Sequence, residues 1–201
     1  MTKTIKKYDI FSRVYDLFER PMEKYLFSSL RKRALAFAIG EVLEVGIGTG
    51  KNIPHYLDNV KVTGIDFSRG MLEKAKRKKE KLSLKNVTLL EMDVENMSFQ
   101  DEFFDTVVST FVFCTVPYPL KGLQEVYRVL KQGGKAVFLE HMKSNSFFLN
   151  IPLYMMNVFT KTLIGTSMIR ETQKNIEKVG FKIKDVQNVY SDIVRLIVAG
   201  K

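Results

Sequence analysis

The sequence predicts an α/β protein in which a parallel sheet carries helices on both faces, and three observations lead there. Short apolar runs alternate with amphipathic helical stretches along most of the chain. The first run breaks at Glu44-Val45-Gly46-Ile47-Gly48-Thr49-Gly50, where glycines let a ligand approach the backbone. The next two runs, Lys61 to Asp66 and Asn86 to Asp93, each finish on an acid.

In chain order, Tyr8 to Phe18 has a helical apolar period that stops near Pro21. Met22, Tyr25, Leu26, Leu30, Ala34, Leu35 and Phe37 continue the period in a second helix. Its Lys24, Arg31, Lys32 and Arg33 form a basic face, which suits either packing on the domain or lying on an anionic membrane surface. After the strand Val42 to Val45 and the glycine turn comes a short helix through Pro54 and Tyr56. Ser68 is the expected N-cap of a helix carrying Met71, Leu72 and Ala75 and ending in the Lys74 to Lys85 run, read as a solvated face. Phe103 to Ser109 is a fourth strand. The apolar loop Thr110 to Pro117 at its carboxyl end is expected to wall a ligand pocket. Pro119 opens a helix whose stripe runs to Leu130; Gln132-Gly133-Gly134 turns the chain into a fifth strand, Lys135 to Glu140. Residues 144 to 166 are too apolar for an exposed loop and read as a substrate lid, a hydrophobic insertion or ordinary core helices. A helix from Arg170 to Val179 and two strands, Phe181 to Val186 and Ile193 to Val198, close the chain.

Composition narrows the classes. The chain has 201 residues, 45% hydrophobic and 27% charged, which fits one domain spanning 1–201. Cys114 is the single cysteine and His55 and His141 the only histidines, so a disulfide framework and a metal site are not expected, and a reducing cytoplasm is. No signal-peptide core follows the basic start, and no apolar run reaches bilayer length. The net charge of +10 is concentrated first in residues 1 to 33, with nine basic against four acidic side chains. Spacing excludes two familiar phosphate-binding turns: the dinucleotide fingerprint needs a glycine where Lys51 stands, and the P-loop needs a hydroxyl residue where Asn52 stands.

The acidic-x-G-x-G-x-G turn from Glu44 resembles that of class I S-adenosylmethionine-dependent methyltransferases, and the likeness extends to other positions. Tyr127-Arg128-Val129-Leu130-Lys131-Gln132-Gly133-Gly134 is similar to the R-V-L-K-P-G-G turn before strand five, with Gln132 in place of proline. Tyr15-Asp16 is like the Y-D element that closes over the cofactor. Cys114-Thr115-Val116, Glu140-His141 and Arg170-Glu171-Thr172 resemble the small-molecule and lipid branch, including phosphatidylethanolamine N-methyltransferase-like and alkyl-thiol methyltransferase-like proteins. Quinone C-methyltransferases are similar in the core, but their Y-x-x-L-x-x-S-I element is absent here.

The resemblance implies a Rossmann-like seven-stranded sheet of order 3-2-1-4-5-7-6 with its last strand antiparallel. It also implies S-adenosyl-L-methionine as cofactor. In that frame Glu44 belongs to the turn whose Gly46, Gly48 and Gly50 pack on the methionine portion. Asp66 accepts the ribose hydroxyls, Asp93 and Val94 hold adenine, and Thr110 or Phe111 lines the pocket near the sulfonium. Asn52, Phe67 and Met71 complete the cofactor set. Tyr15 and His141 are the candidate catalytic residues, His141 because an unperturbed imidazole is partly neutral near pH 7.

The favoured activity is methylation of a hydrophobic or lipid-like small molecule, a phospholipid amine first, with quinone C-methylation or thiol S-methylation as alternatives. A cofactor-fold binding protein is the non-enzymatic alternative. The basic N-terminal helices suggest peripheral contact with anionic membrane. Nucleic acid is not an expected partner, because Thr110-Phe111-Val112-Phe113 stands where an N-P-P-Y-type motif would be.

Overall fold

A computed structural model describes residues 27–163 and 167–201. The expected first helix, with Tyr15 and Asp16, and the basic residues up to Lys24 lie outside the described residues.

The described elements are α1 (Ser28–Leu35), β1 (Glu41–Val45), a single 3-10 turn at Ile53–His55, β2 (Lys61–Asp66), α2 (Arg69–Lys81), β3 (Val87–Glu91) and β4 (Phe104–Thr110). There follow α3 (Pro119–Val129), β5 (Leu130–His141), α4 (Phe147–Leu163), α5 (Thr172–Val179), β6 (Lys182–Tyr190) and β7 (Val194–Gly200). The seven strands lie in the order β3-β2-β1-β4-β5-β7-β6. All neighbours from β3 through β5 pair in parallel, while β7 runs antiparallel to both β5 and β6. This is the topology that the resemblance implied.

Alternation along the central strands explains why both faces are covered. Leu43, Val107 and Phe138 face a core shared with Leu123, Val126 and Ile176 of α3 and α5. Their neighbours Val42, Val108, Val137 and Leu139 face the opposite core, with Leu30, Ala34 and Leu35 of α1 and Ala75 of α2. Side chains of successive strand residues point to opposite faces, so each central strand serves two helical layers.

Several expected boundaries move. Leu130 leaves the helix and begins β5, because it already pairs with Phe104; the register then jumps to Thr106 opposite Lys135, and Gln132 to Gly134 form the irregularity between. Gly133 permits that kink with φ +74°. The strand β3 ends at Glu91, so Asp93 lies in the loop beyond it. The helix expected from Arg170 begins at Thr172, and β6 continues to Tyr190. Ser68 caps α2 as expected, its Oγ accepting the Met71 amide at 3.3 Å.

Residues 147–163 form one helix with Pro152 inside it. Asn150 and Leu153 are buried, yet Phe147 is 75% exposed, Phe148 79% and Met155 67%. The helix therefore packs along a narrow stripe and turns a broad apolar face outward.

Candidate active site

The three glycines of the turn after β1 all take left-handed backbone, with φ of +62°, +56° and +73° at Gly46, Gly48 and Gly50. A β-carbon on Gly46 would lie 2.5 Å from the Val112 side chain, and one on Gly50 would lie 2.6 Å from Ile53. Among the described residues, a β-carbon on Gly48 would meet only the Gly46 carbonyl, at 3.9 Å, so none of them covers the outer side of the turn. Asp66, last residue of β2, fixes the turn against the next helix. Its Oδ2 accepts the Gly48 amide and its Oδ1 the Ser68 amide, both at 2.9 Å. Two acceptor positions of the about four that a carboxylate offers are used in this way. The Met92 amide donates to the Asp66 carbonyl at 3.0 Å, which brings the loop with Asp93 and Val94 alongside.

Behind the turn lies a buried polar network. Asn52 donates to Glu44 Oε1 at 2.8 Å and to Thr110 Oγ1 at 3.0 Å, and the Tyr56 hydroxyl donates to Glu44 Oε2 at 3.0 Å. Arg31 of α1 completes it, its guanidinium donating to Asn52 Oδ1 at 3.1 Å and Thr110 Oγ1 at 2.7 Å. The same guanidinium lies 5.3 Å from the centre of the Phe111 ring, a cation–π distance. Although it belongs to the basic residues assigned to the helix surface, Arg31 is only 6% exposed. Lys32 and Arg33 do face outward.

A second buried acid holds the apolar loop. Glu140 Oε1 accepts from the Ser109 hydroxyl at 2.7 Å and from the amides of Val112 and Phe113 at 3.0 and 3.3 Å. Phe111, at the head of that loop, has φ +60°, an uncommon conformation for a bulky residue that marks local strain. Its ring is 4.8 Å from that of His141 and 5.0 Å from that of Phe27, forming an aromatic wall.

Burial pushes the Glu44 and Glu140 carboxyls up to about 7 and the His141 imidazole down to about 4. Between about pH 4.5 and 7 the folded acids keep protons that the unfolded chain has released, so their contribution is lost as pH rises through 7. His141 acts oppositely: unfolded it binds a proton below 6.5 that the folded site refuses, so its contribution grows with pH between about 4 and 6.5. The two acids outweigh the one histidine. Stability of the cofactor-free protein is therefore expected to fall by roughly 3 kcal/mol from pH 5 to pH 8. In His141→Phe the opposing slope is gone, and melting temperature should fall more steeply between pH 5 and 6.5; equal profiles would refute the linkage.

The structure thus gathers Glu44, Gly46, Gly48, Gly50, Asn52, Asp66, Thr110, Phe111 and His141 at the carboxyl ends of β1, β2, β4 and β5. Asn52 and Thr110 sit within the network beneath the turn rather than on its open side. Phe67 is half-buried beside Asp66, and Met71 is buried in the first turn of α2. Asp93 Oδ1 accepts the Glu95 amide at 2.9 Å, and the Val94 side chain packs into the core beside Gly122. Tyr15 lies outside the described residues. Arg31 and Tyr56 escaped the sequence reading, as did the loop-holding role of Glu140. For Arg31 a signal existed: positions 27, 30, 31, 34, 35 and 38 form one helical stripe, and a charge on such a stripe is buried for a reason.

An open glycine turn at the end of β1 and an acid at the end of β2, at the carboxyl ends of the parallel strands where nucleoside cofactors bind, define a cofactor-binding α/β protein. The bare outer side of Gly48 and the neighbouring Asp66 carboxylate fit an adenosyl group joined to a small polar tail. A methyltransferase domain family matches residues 43–138. The chain is 47% identical over 103 residues to a phosphatidylethanolamine N-methyltransferase of Cereibacter sphaeroides, covering 51% of each protein. To a thiol S-methyltransferase of Rattus norvegicus it is 34% identical over 183 residues, covering 88% of this chain and 67% of that one. To a demethylmenaquinone methyltransferase of Staphylococcus epidermidis it is 47% identical over 79 residues, 39% of this chain and 32% of that one. The chain thus spans about half of the first of these relatives and about a third of the last. The crystal structure of a SAM-dependent methyltransferase from Aquifex aeolicus shares the fold, with a TM-score of 0.62 at 22% identity over 84% of this chain and 88% of that one. The chain belongs to the S-adenosylmethionine-dependent methyltransferase family. Among the described residues no helix is long and apolar enough to cross a membrane.

Proposed function

We propose that this protein transfers a methyl group from S-adenosylmethionine to a hydrophobic or lipid-like small molecule, with a phospholipid amine as the favoured acceptor. The observation that carries the acceptor class is the outward apolar face of α4, with Phe147, Phe148 and Met155 all more than two-thirds exposed. It follows directly from the strand that ends in His141. An exposed apolar face of this kind marks an interaction site for apolar partners. The phosphatidylethanolamine N-methyltransferase relative supports the amine reading.

When bound, the cofactor supplies a methyl group already activated by its sulfonium charge. Gly46, Gly48 and Gly50 would let its amino-acid portion approach the backbone, Asp66 would accept the ribose hydroxyls, and Asp93 and Val94 would hold the adenine. Phe67 and Met71 would pack at its edge. Glu44, Asn52, Thr110 and Arg31 act on the turn from beneath. Phe27, Phe111 and His141 exclude water from the acceptor side, and alignment of this kind can supply about 7 to 11 kcal/mol of a displacement barrier. His141, held neutral by burial, would accept a hydrogen bond from the acceptor rather than store its proton, since a group of pKa about 4 is a weak base at neutral pH. Tyr15 would orient the acceptor or cap the methionine carboxylate.

Incubation with labelled cofactor and an equimolar set of phosphatidylethanolamine, a quinol and an alkyl thiol, followed by mass spectrometry, tests the reading. Label in the phospholipid amine is expected. Label confined to the thiol would establish the second reading, thiol S-methylation, which the long match to the rat protein favours; quinol label would do the same for C-methylation. Calorimetry showing no cofactor binding would favour a non-enzymatic protein. Asp66→Asn should weaken cofactor binding about tenfold or more through loss of a charge-assisted acceptor. Peripheral membrane contact and a cytoplasmic location belong to the same proposal; equal pelleting with neutral and anionic vesicles would sink the membrane part.

A further inference from the structure

A second concave feature lies outside the cofactor turn. It is a cavity of about 520 Å³ between the chain leaving β5 and the start of α5, within the size range of small-molecule sites. Four cations, Lys143, Arg170, Lys174 and Arg195, line it against two carboxylates, Glu171 and Glu177. Glu171 is taken by Lys174 at 2.7 Å, and Arg195 pairs with Asp192 at 3.4 Å. Lys143 and Arg170 have no carboxylate within ion-pair distance among the described residues. One Arg170 amine donates to the Val116 carbonyl at 3.0 Å, but its buried Nε–H finds no acceptor among the described residues. That Nε–H is closed off from solvent, so it is the rest of the guanidinium that can meet a ligand in the cavity.

One contact ties this cavity to the candidate active site. Val116, which Arg170 holds, belongs to the loop whose Val112 packs against Gly46; the cavity begins at Met142, next in the chain to His141 but on the opposite face of β5. On its other side Phe147 is both a cavity wall and the start of the exposed apolar face of α4. Cationic donors next to a continuous apolar surface suit one molecule that carries an anionic group and an apolar body.

We propose that this cavity holds the phosphodiester of a phospholipid, with Arg170 and Lys143 on the phosphate oxygens and the acyl chains along the outer face of α4. The inference rests on the lipid reading above and assigns the part of the acceptor that does not react. Its role is binding and placement: it holds the lipid beside the carboxyl end of β5.

Calorimetry without cofactor, using three probes, separates this from methyl transfer. The probes are a short-chain phosphatidylethanolamine, an N-alkyl ethanolamine of matched chain length lacking phosphate, and inorganic phosphate. The phospholipid should bind about tenfold or more tightly than the phosphate-free amine, the scale of one charge-assisted hydrogen bond, and inorganic phosphate far more weakly than either. Arg170→Gln and Lys143→Gln should remove most of that preference while leaving the phosphate-free amine unaffected. Should Arg170→Gln fail to fold, Lys143→Gln, half-exposed in the structure, decides the matter. Equal binding of the two amphiphiles, an unchanged preference in folded variants, or inorganic phosphate binding as tightly as the lipid would overturn the proposal. A phosphate preference without methylation of the lipid keeps this site and refutes the phospholipid-amine activity; methylation without the preference does the reverse.

Discussion

Gly46→Ala is expected to lower the stability of the protein by about 2 to 5 kcal/mol and to eliminate measurable cofactor binding. Two costs combine. The left-handed backbone at φ +62° penalises a residue with a β-carbon by about 1 to 2 kcal/mol. The new carbon would also stand 2.5 and 2.8 Å from the two methyl groups of Val112, and overpacking of a filled core costs about 1 to 3 kcal/mol. Val112 cannot easily withdraw, because Glu140 holds its amide at 3.0 Å. Gly48→Ala makes the control: among the described residues a β-carbon there meets nothing closer than 3.9 Å, so it should cost only about 1 to 2 kcal/mol of backbone strain yet still obstruct the ligand side. Thermal denaturation and calorimetry together distinguish the two. If both variants lost the same stability, or if Gly48→Ala bound cofactor normally, the assignment of the open side would be wrong.

Arg31→Met should destabilise by about 3 to 5 kcal/mol, the scale for breaking a buried charged network by removing one member. Asn52 and Thr110 both lose the guanidinium donor, and Glu44 loses a nearby positive charge that holds its carboxyl down against burial. Glu44→Gln in the same chain removes the acid that this cation helps to stabilise. The double variant should therefore be less damaged than the sum of the singles, with a coupling of about 1 to 3 kcal/mol in urea denaturation. Strict additivity would show that Arg31 and Glu44 act independently despite sharing Asn52.

The local signals in the sequence carried the scaffold. Short continuous apolar runs located the strands of the central sheet, and the Ser68 cap and the Gly46 to Gly50 turn were legible because short-range backbone requirements select those residue types. Leu130 misled because an apolar residue after Val129 continues the helical stripe as well as it begins a strand; pairing with Phe104, distant in sequence, decides between them. The apolar content of 144–166 was plain, but whether Phe147 or Met155 would be covered depends on which other elements reach that helix. Glu140 could be read as part of a motif, whereas its work of gathering loop amides depends on the β4–β5 register, which no local pattern encodes.

The position of β7 has a consequence during biosynthesis. β7 is made last of the strands but lies between β5 and β6, so neither can find its final neighbour until residues 194–200 emerge. Meanwhile the apolar run Ala136 to Leu139 waits with one edge unpaired, a template for pairing with the wrong chain. At about 5 to 20 residues per second that interval is several seconds long, and nascent chains stalled before β7 should be the ones that chaperones bind and that aggregate when chaperones are depleted.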